Sequence, residues 1–139
     1  MKLDTSSFEN AIKQLEASLE YLGSDLAMKD QGLRKQFRAA AIQAFEFTFE
    51  LCVRMLRRQL KRVAANPAEV NTMDFMDMVR TAAEAGLVSD PGRFWDYRSR
   101  RNMTSHTYDE SKAEEIVSIL DVFLKDVKFI LGEMKRRNE

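Results

Sequence analysis

Apolar side chains in this chain recur every three or four residues and nowhere every second residue, so helices are the regular structure it can build. Three stretches carry the pattern. Phe8, Ile12, Leu15, Leu19, Leu22 and Leu26 form the first. Leu33, Phe37, Ala40, Ala44, Phe47, Leu51, Met55 and Leu56 form the second, and Ile116, Leu120, Phe123, Val127, Ile130 and Met134 the third. No hairpin dipeptide separates β-branched runs. Only five glycines and two prolines interrupt 139 residues. That length fits a single domain, residues 1–139, with a core large enough to fold unaided. The fold class is all-α, a bundle of five helices in which the first, second and fifth are long.

Local signals set the expected boundaries. Ser6 with Glu9 reads as a capping box for the first helix, and Ser111 with Glu114 as another for the fifth. The second helix should run from about Leu33 to Ala65, close to 50 Å at ~1.5 Å per residue, and close at Asn66-Pro67. Phe45, Phe49 and Val53 lie off its seam, which predicts either a second contact surface, such as a dimer interface, or a fuller single core. Thr72 is read as the N-cap of a short third helix to Ala85, with Phe75, Met76, Val79 and Ala83 inward. Gly86 followed by Leu87 and Val88 reads as a glycine C-cap with an apolar contact behind it. Asp90-Pro91 opens the fourth helix, which carries Phe94, Trp95, Tyr97, Arg98 and Arg101.

The formal net charge is zero, yet residues 33–63 sum to +6 and residues 91–108 to +3, with acidic stretches between and around them. Such asymmetry can steer an anionic partner. The bland reading of the first basic block, Arg34, Lys35, Arg38, Arg54, Arg57, Arg58, Lys61 and Arg62, is a solvated helix face. Cys52 is the one cysteine, which rules out an intrachain disulfide and predicts a buried thiol in a reducing, cytoplasmic setting. No apolar run approaches the roughly 20 residues that span a bilayer, and Met1-Lys2-Leu3-Asp4 has no signal pattern, so no membrane partner is expected.

The second basic block surrounds the chain's one histidine. Arg101-Asn102-Met103-Thr104-Ser105-His106-Thr107-Tyr108 gathers a guanidinium, a carboxamide, an imidazole and a phenol, with Arg93, Arg98 and Arg100 just before it. Arginine offers a planar fork for phosphate, and histidine exchanges protons near neutral pH. A lone histidine is by default a hydrogen-bonded structural residue; the arginines shift the balance toward phosphate contact and acid–base work. On an unbroken helix Arg101 and His106 would lie about 140° apart. The cap- and turn-favouring residues Thr104, Ser105, Thr107 and Asp109 instead predict that the fourth helix ends near His106. Arg101 would then reach forward, and the N-terminal amides of the fifth helix would help hold an anion. There is no Gly-rich phosphate loop and no His or Cys cluster for zinc, so no cofactor or metal is expected.

At this motif the chain resembles the HEPN superfamily, whose hallmark is Arg, four to six residues, then His. Arg101 and His106 match it with four between, and Asn102 and Tyr108 match its extended form. Phe45-Glu46-Phe47-Thr48-Phe49-Glu50-Leu51, and Trp95 with Tyr97 ahead of the motif, resemble the branch called nucleotidyltransferase substrate-binding proteins. The resemblance implies an up-and-down four-helix bundle with an additional short helix, a homodimer whose motifs share a cleft, and a minimal nucleotidyltransferase encoded alongside. It implies a toxin that cuts RNA without metal, with the transferase as antitoxin. Arg101 and His106 would be the catalytic pair, Asn102 a supporting polar residue and Tyr108 the acceptor of an adenylyl group. Arg93, Arg98 and Arg100 would then bind phosphate or RNA. The other reading is a non-catalytic subunit that presents a nucleotide or other substrate to the transferase.

Overall fold

The computed structural model describes residues 2–138, and all regular structure among them is helical. Helix α1 spans Ser6–Leu22, α2 Asp25–Lys29 and α3 Gln31–Val63. Helix α4 spans Pro67–Thr72, α5 Phe75–Glu84 and α6 Pro91–Arg101. A 3-10 turn at Thr104–His106 leads to α7, Glu110–Val117, and α8, Leu120–Arg137. Several starts are fixed by short polar side chains. Asp30 accepts from the Gly32 and Leu33 amides at 2.9 and 3.2 Å, and Asp90 accepts from Gly92 at 3.0 Å ahead of Pro91. Such caps satisfy amides that a helix leaves without partners. The glycine C-cap forms as expected. Gly86 sits at φ +82°, Leu87 N–H reaches Ala82 O, Gly86 N–H reaches Ala83 O, and Leu87 is fully buried.

Both expected capping boxes are replaced by a neighbouring aspartate. Asp4 accepts from the Ser6 amide and hydroxyl, while Glu9 pairs with Lys135 at 2.6 Å. Asp109 accepts from the Ser111 and Lys112 amides at 2.9 and 3.3 Å, and Glu114 pairs instead with Arg34 at 2.5 Å. A carboxylate takes the amides, leaving each glutamate for a tertiary ion pair. Asp74 likewise displaces Thr72 as the cap of α5, because Asn66-Pro67 starts the separate short helix α4. The fifth predicted helix divides at Ser118, whose hydroxyl donates to Glu115 O at 2.6 Å. Its apolar stripe survives the break, and Ile116, Leu120, Phe123, Val127, Ile130 and Met134 are all fully buried. The extra helices thus include α2, α4 and α7 rather than one short element.

The seam of α3 differs from expectation by about one residue of rotation. Ala41, Phe45, Thr48, Cys52 and Leu56 are buried, as are Ile42, Phe49 and Leu60. Leu33, Ala40 and Phe47, placed inward from the sequence, are exposed, and so is Leu26 on α2. The 33-residue helix is covered on more than one side, by α1 and by the later helices, so its phenylalanines enter one common core. Phe45 meets Phe123 edge-on at 4.8 Å, and Phe123 meets Tyr97 at 4.9 Å. Phe49 lies 5.9 Å from Phe75. These rings fasten α3, α5, α6 and α8 together, at about 0.5–1.5 kcal/mol per pair beyond the area they bury. Cys52 is buried, and loss of water pushes its thiol well above the ordinary range, so it is inert at neutral pH.

Candidate functional site

Helix α6 delivers the polar motif, and two contacts set its place. Phe94 and Tyr97 pack into the core. Arg93 grips the buried Asp126 of α8 through Nε at 2.9 Å and Nη2 at 2.7 Å, and the Tyr97 hydroxyl donates to the same carboxylate. The Asp126 carboxylate raises the Arg93 guanidinium further, while burial and then that carboxylate raise the Tyr97 phenol. Arg93 therefore anchors α6, and a carboxylate occupies the donors that a phosphate would use. Arg100 is also engaged, donating to Glu115 O at 3.3 Å.

The helix ends at Arg101, five residues before the expected end. Asn102 N–H bonds Arg98 O, Met103 N–H bonds Arg100 O, and a 3-10 turn follows. Arg101 turns sideways onto α3 instead of forward. Its Nη2 lies 2.5 Å from Glu50 Oε1, and its Nη1 3.9 Å from Glu46 Oε2. Thr104 closes the cluster, its hydroxyl 2.5 Å from Glu46 Oε2 and 2.9 Å from Arg101 O. Glu46 and Glu50 are one turn apart, so both reach the end of α6 from one face of α3. No hydrogen bond joins Arg101 to His106. His106, the last residue of that turn, and Tyr108 just beyond it are exposed, the phenol oxygen 3.5 Å from His106 Nδ1 and the rings 6.0 Å apart. The first free amides of α7 are taken by Asp109, so they are not open to an external anion as the sequence led us to expect.

Beside the motif lies an open groove of about 540 Å³ between α3, α5 and α6. Phe49, Val53 and Phe75 form its apolar side, and Arg54, Arg57, Arg98, Arg101 and Asn102 its polar side, together with Glu50, which is paired with Arg101. The two basic blocks, some forty residues apart in sequence, therefore meet here. A groove of this size with an apolar floor and guanidinium walls suits a nucleotide-sized anion.

Comparison with known proteins finds relatives of this sequence and fold. The profile of the nucleotidyltransferase substrate-binding protein-like family covers residues 3–136. The chain belongs to that family. A probable ribonuclease HepT from Haemophilus influenzae is 41% identical over 101 residues, spanning 73% of this chain and 69% of that protein. The solved structure of HI0074, also from Haemophilus influenzae, is described as the fold of a substrate-binding domain of a nucleotidyltransferase. It superposes with a TM-score of 0.89 at 32% identity, covering 95% of this chain and 99% of that one.

Within this family member, the structure gathers Arg98, Arg101 and Asn102 at one groove, places His106 and Tyr108 together on the following turn, and commits Arg93 and Arg100 to protein acceptors. Reading the residues alone missed Arg54, Arg57, Glu46 and Glu50 as members of the site. Their signal was present as charges spaced at i, i+4 and i+8, Glu46, Glu50 and Arg54, along one face of the second helix. What the sequence lacked was the identity of the helix that this face meets.

Proposed function

We propose that this chain is the toxin of a two-component pair, an endoribonuclease that works without metal and is held in check by a minimal nucleotidyltransferase. The observation that carries the reading is the placement of an exposed His106 and Tyr108 just after a helix end whose Arg98, Arg101 and Asn102 line a groove with Arg54 and Arg57. The name of the HepT relative supports it. In that chemistry the ribose 2′-oxygen attacks phosphorus, the bond from phosphorus to the 5′-oxygen breaks, and a 2′,3′-cyclic phosphate and a 5′-hydroxyl end result. His106 takes the proton from the 2′-hydroxyl or gives one to the departing oxygen, and arginine offsets charge building on the phosphoryl oxygens. Tyr108, 83% exposed, is open to a modifying partner and serves as the adenylyl acceptor.

A four-helix bundle formed by α1, α3, α6 and α8, assembled as a homodimer, completes this reading. Leu33, Ala40 and Phe47 recur at seven-residue intervals on an exposed face of α3, which is the surface such a dimer needs. The second copy brings a second motif to the cleft.

The test is cleavage of RNA by the protein expressed without its partner, in the presence of EDTA. Cleavage should fall about 10²- to 10⁴-fold in His106→Ala, the range for lost acid–base catalysis, and also fall in Arg101→Ala. Equal cleavage by all three proteins would refute the assignment. One observation favours the substrate-presenting subunit instead: Arg101 is held by Glu46 and Glu50, with no bond to His106. An inert protein that binds its transferase partner tightly, and loses nucleotide affinity in Arg101→Ala, is the result expected from that second reading.

A further inference from the structure

Most guanidinium groups near the motif are answered by acceptors of the protein itself. Arg93 has Asp126, Arg100 a backbone carbonyl, and Arg101 has Glu50. Arg57 donates to Val70 O and Met73 O at 3.0 and 3.2 Å. Two differ. Arg54 forms no ion pair or hydrogen bond, and Arg98 is held only by rings, its guanidinium carbon 5.2 Å from the centre of Phe75 and 6.0 Å from that of Trp95. The groove's one acid, Glu50, is taken by Arg101, and although the chain has as many acidic as basic side chains, none is placed to pair with Arg54 or Arg98. Trp95 is 59% exposed on a second, smaller hollow that shares Arg98 and Asn102 with the main groove. An exposed indole beside a cation held without neutralisation is the combination that single-stranded nucleic acid uses, a phosphate on the charge and a base on the ring.

We propose that Arg54, Arg98 and Trp95 form a recognition subsite for single-stranded RNA, separate from the His106 chemistry. Arg54 and Arg98 take a backbone phosphate across the groove, and the adjacent base stacks on the open face of Trp95. Stacking between Phe75 and Trp95 holds the Arg98 guanidinium in place before RNA arrives, which reduces the ordering that binding requires. A duplex does not fit this device, because its bases are already stacked. The inference rests on the RNA reading above and specifies the substrate form that the site selects.

Trp95 is the sole tryptophan, so its emission reports on this subsite without a label. The probe is a short single-stranded 2′-O-methyl RNA, which binds but lacks the attacking hydroxyl. Adding it to the full chain should change Trp95 emission saturably, whereas the same sequence as a duplex should not. By anisotropy of the labelled strand, Arg54→Gln and Arg98→Gln should each weaken binding about tenfold and reduce the salt slope by roughly 0.7, the value for one phosphate contact on a single strand. Trp95→Leu should weaken it roughly five- to a hundredfold with the salt slope unchanged. All three side chains are exposed, and circular dichroism checks that the variants fold. A strand that binds without altering Trp95 emission, and with unchanged affinity in all three variants, overturns the subsite while the cleavage assay still decides the nuclease reading. Emission that responds to a mononucleotide but not to the strand overturns the RNA assignment and favours the substrate-presenting subunit. Duplex bound as tightly as single strand overturns the selection for unpaired RNA.

Discussion

Asp126 is a carboxylate almost out of water, with three donors on its two oxygens: Arg93 Nε, Arg93 Nη2 and the Tyr97 hydroxyl. Charge-assisted bonds of this kind are worth about 1.5–3 kcal/mol, and removing one partner leaves the others unsatisfied. Asp126→Ala should therefore lower stability by about 2–3 kcal/mol in urea denaturation. Arg93→Ala should lower it less, because the arginine is one-third exposed and water can replace it at one edge of the carboxylate. Equal losses would show that the carboxylate is not the centre of the network. Tyr108 makes the opposite case. It is exposed and touches little besides His106, so Tyr108→Phe should leave stability within about 0.5 kcal/mol. Co-expression with the transferase partner should add an adenylate mass to the wild type and none to Tyr108→Phe. An unmodified wild-type protein would remove Tyr108 as acceptor.

At the scale of the element, helix ends matter more than helix interiors. Gly86 ends α5 at φ +82°, and a Cβ there would come within 3.1 Å of Arg137 Nη2, which itself donates to Ala85 O at 2.7 Å. Gly86→Ala should destabilise by about 1–2 kcal/mol, the penalty of an L side chain in the left-handed region. Thermal unfolding that is unchanged would contradict the strain. The C-terminal end of α5 was readable from sequence for this reason, since glycine and the apolar pair behind it act locally, whereas its start moved from Thr72 to Asp74. The end of α6 was not. Five polar residues of cap and turn type follow Arg101, and any of several could have stopped the helix. The choice was made by Thr104 and Arg101 reaching Glu46 and Glu50, residues more than fifty positions earlier. The caps of α1 and α7 failed as predictions for a related reason. Glu9 and Glu114, expected to reach back locally, found Lys135 and Arg34 across the molecule.

For the whole molecule, charge links the helices in a way that acid should undo. Arg34 and Arg38 of α3 hold Glu114 and Glu110 of α7. Hydrogen bonds from these guanidiniums lower both carboxyls below the ordinary glutamate value of 4.5. Because the folded values are depressed, the stabilisation is complete above the ordinary value and is lost as pH falls through the folded ones. The stability difference between wild type and a Glu110→Gln/Glu114→Gln double variant should be present at neutral pH and shrink as pH falls below the ordinary glutamate value and through the lowered folded ones. A difference that persists in acid would show that packing, not charge, joins α3 to α7. These pairs are partly exposed, so their contribution is modest and should also decline with salt.

The sequence by itself determined that the chain is helical, where most helices lie, that Cys52 is buried and which residues form the polar motif. Each of these depends on period, caps or composition, which act over a few residues. Tertiary structure alone decided which face of α3 becomes core, because the helix is apolar on more than one side and only its neighbours select among them. It also decided which arginines are spent on carboxylates and which stay open. Arg93 and Arg54 look alike in a sequence; one meets the buried Asp126, and the other faces a groove whose one acid, Glu50, is already paired with Arg101.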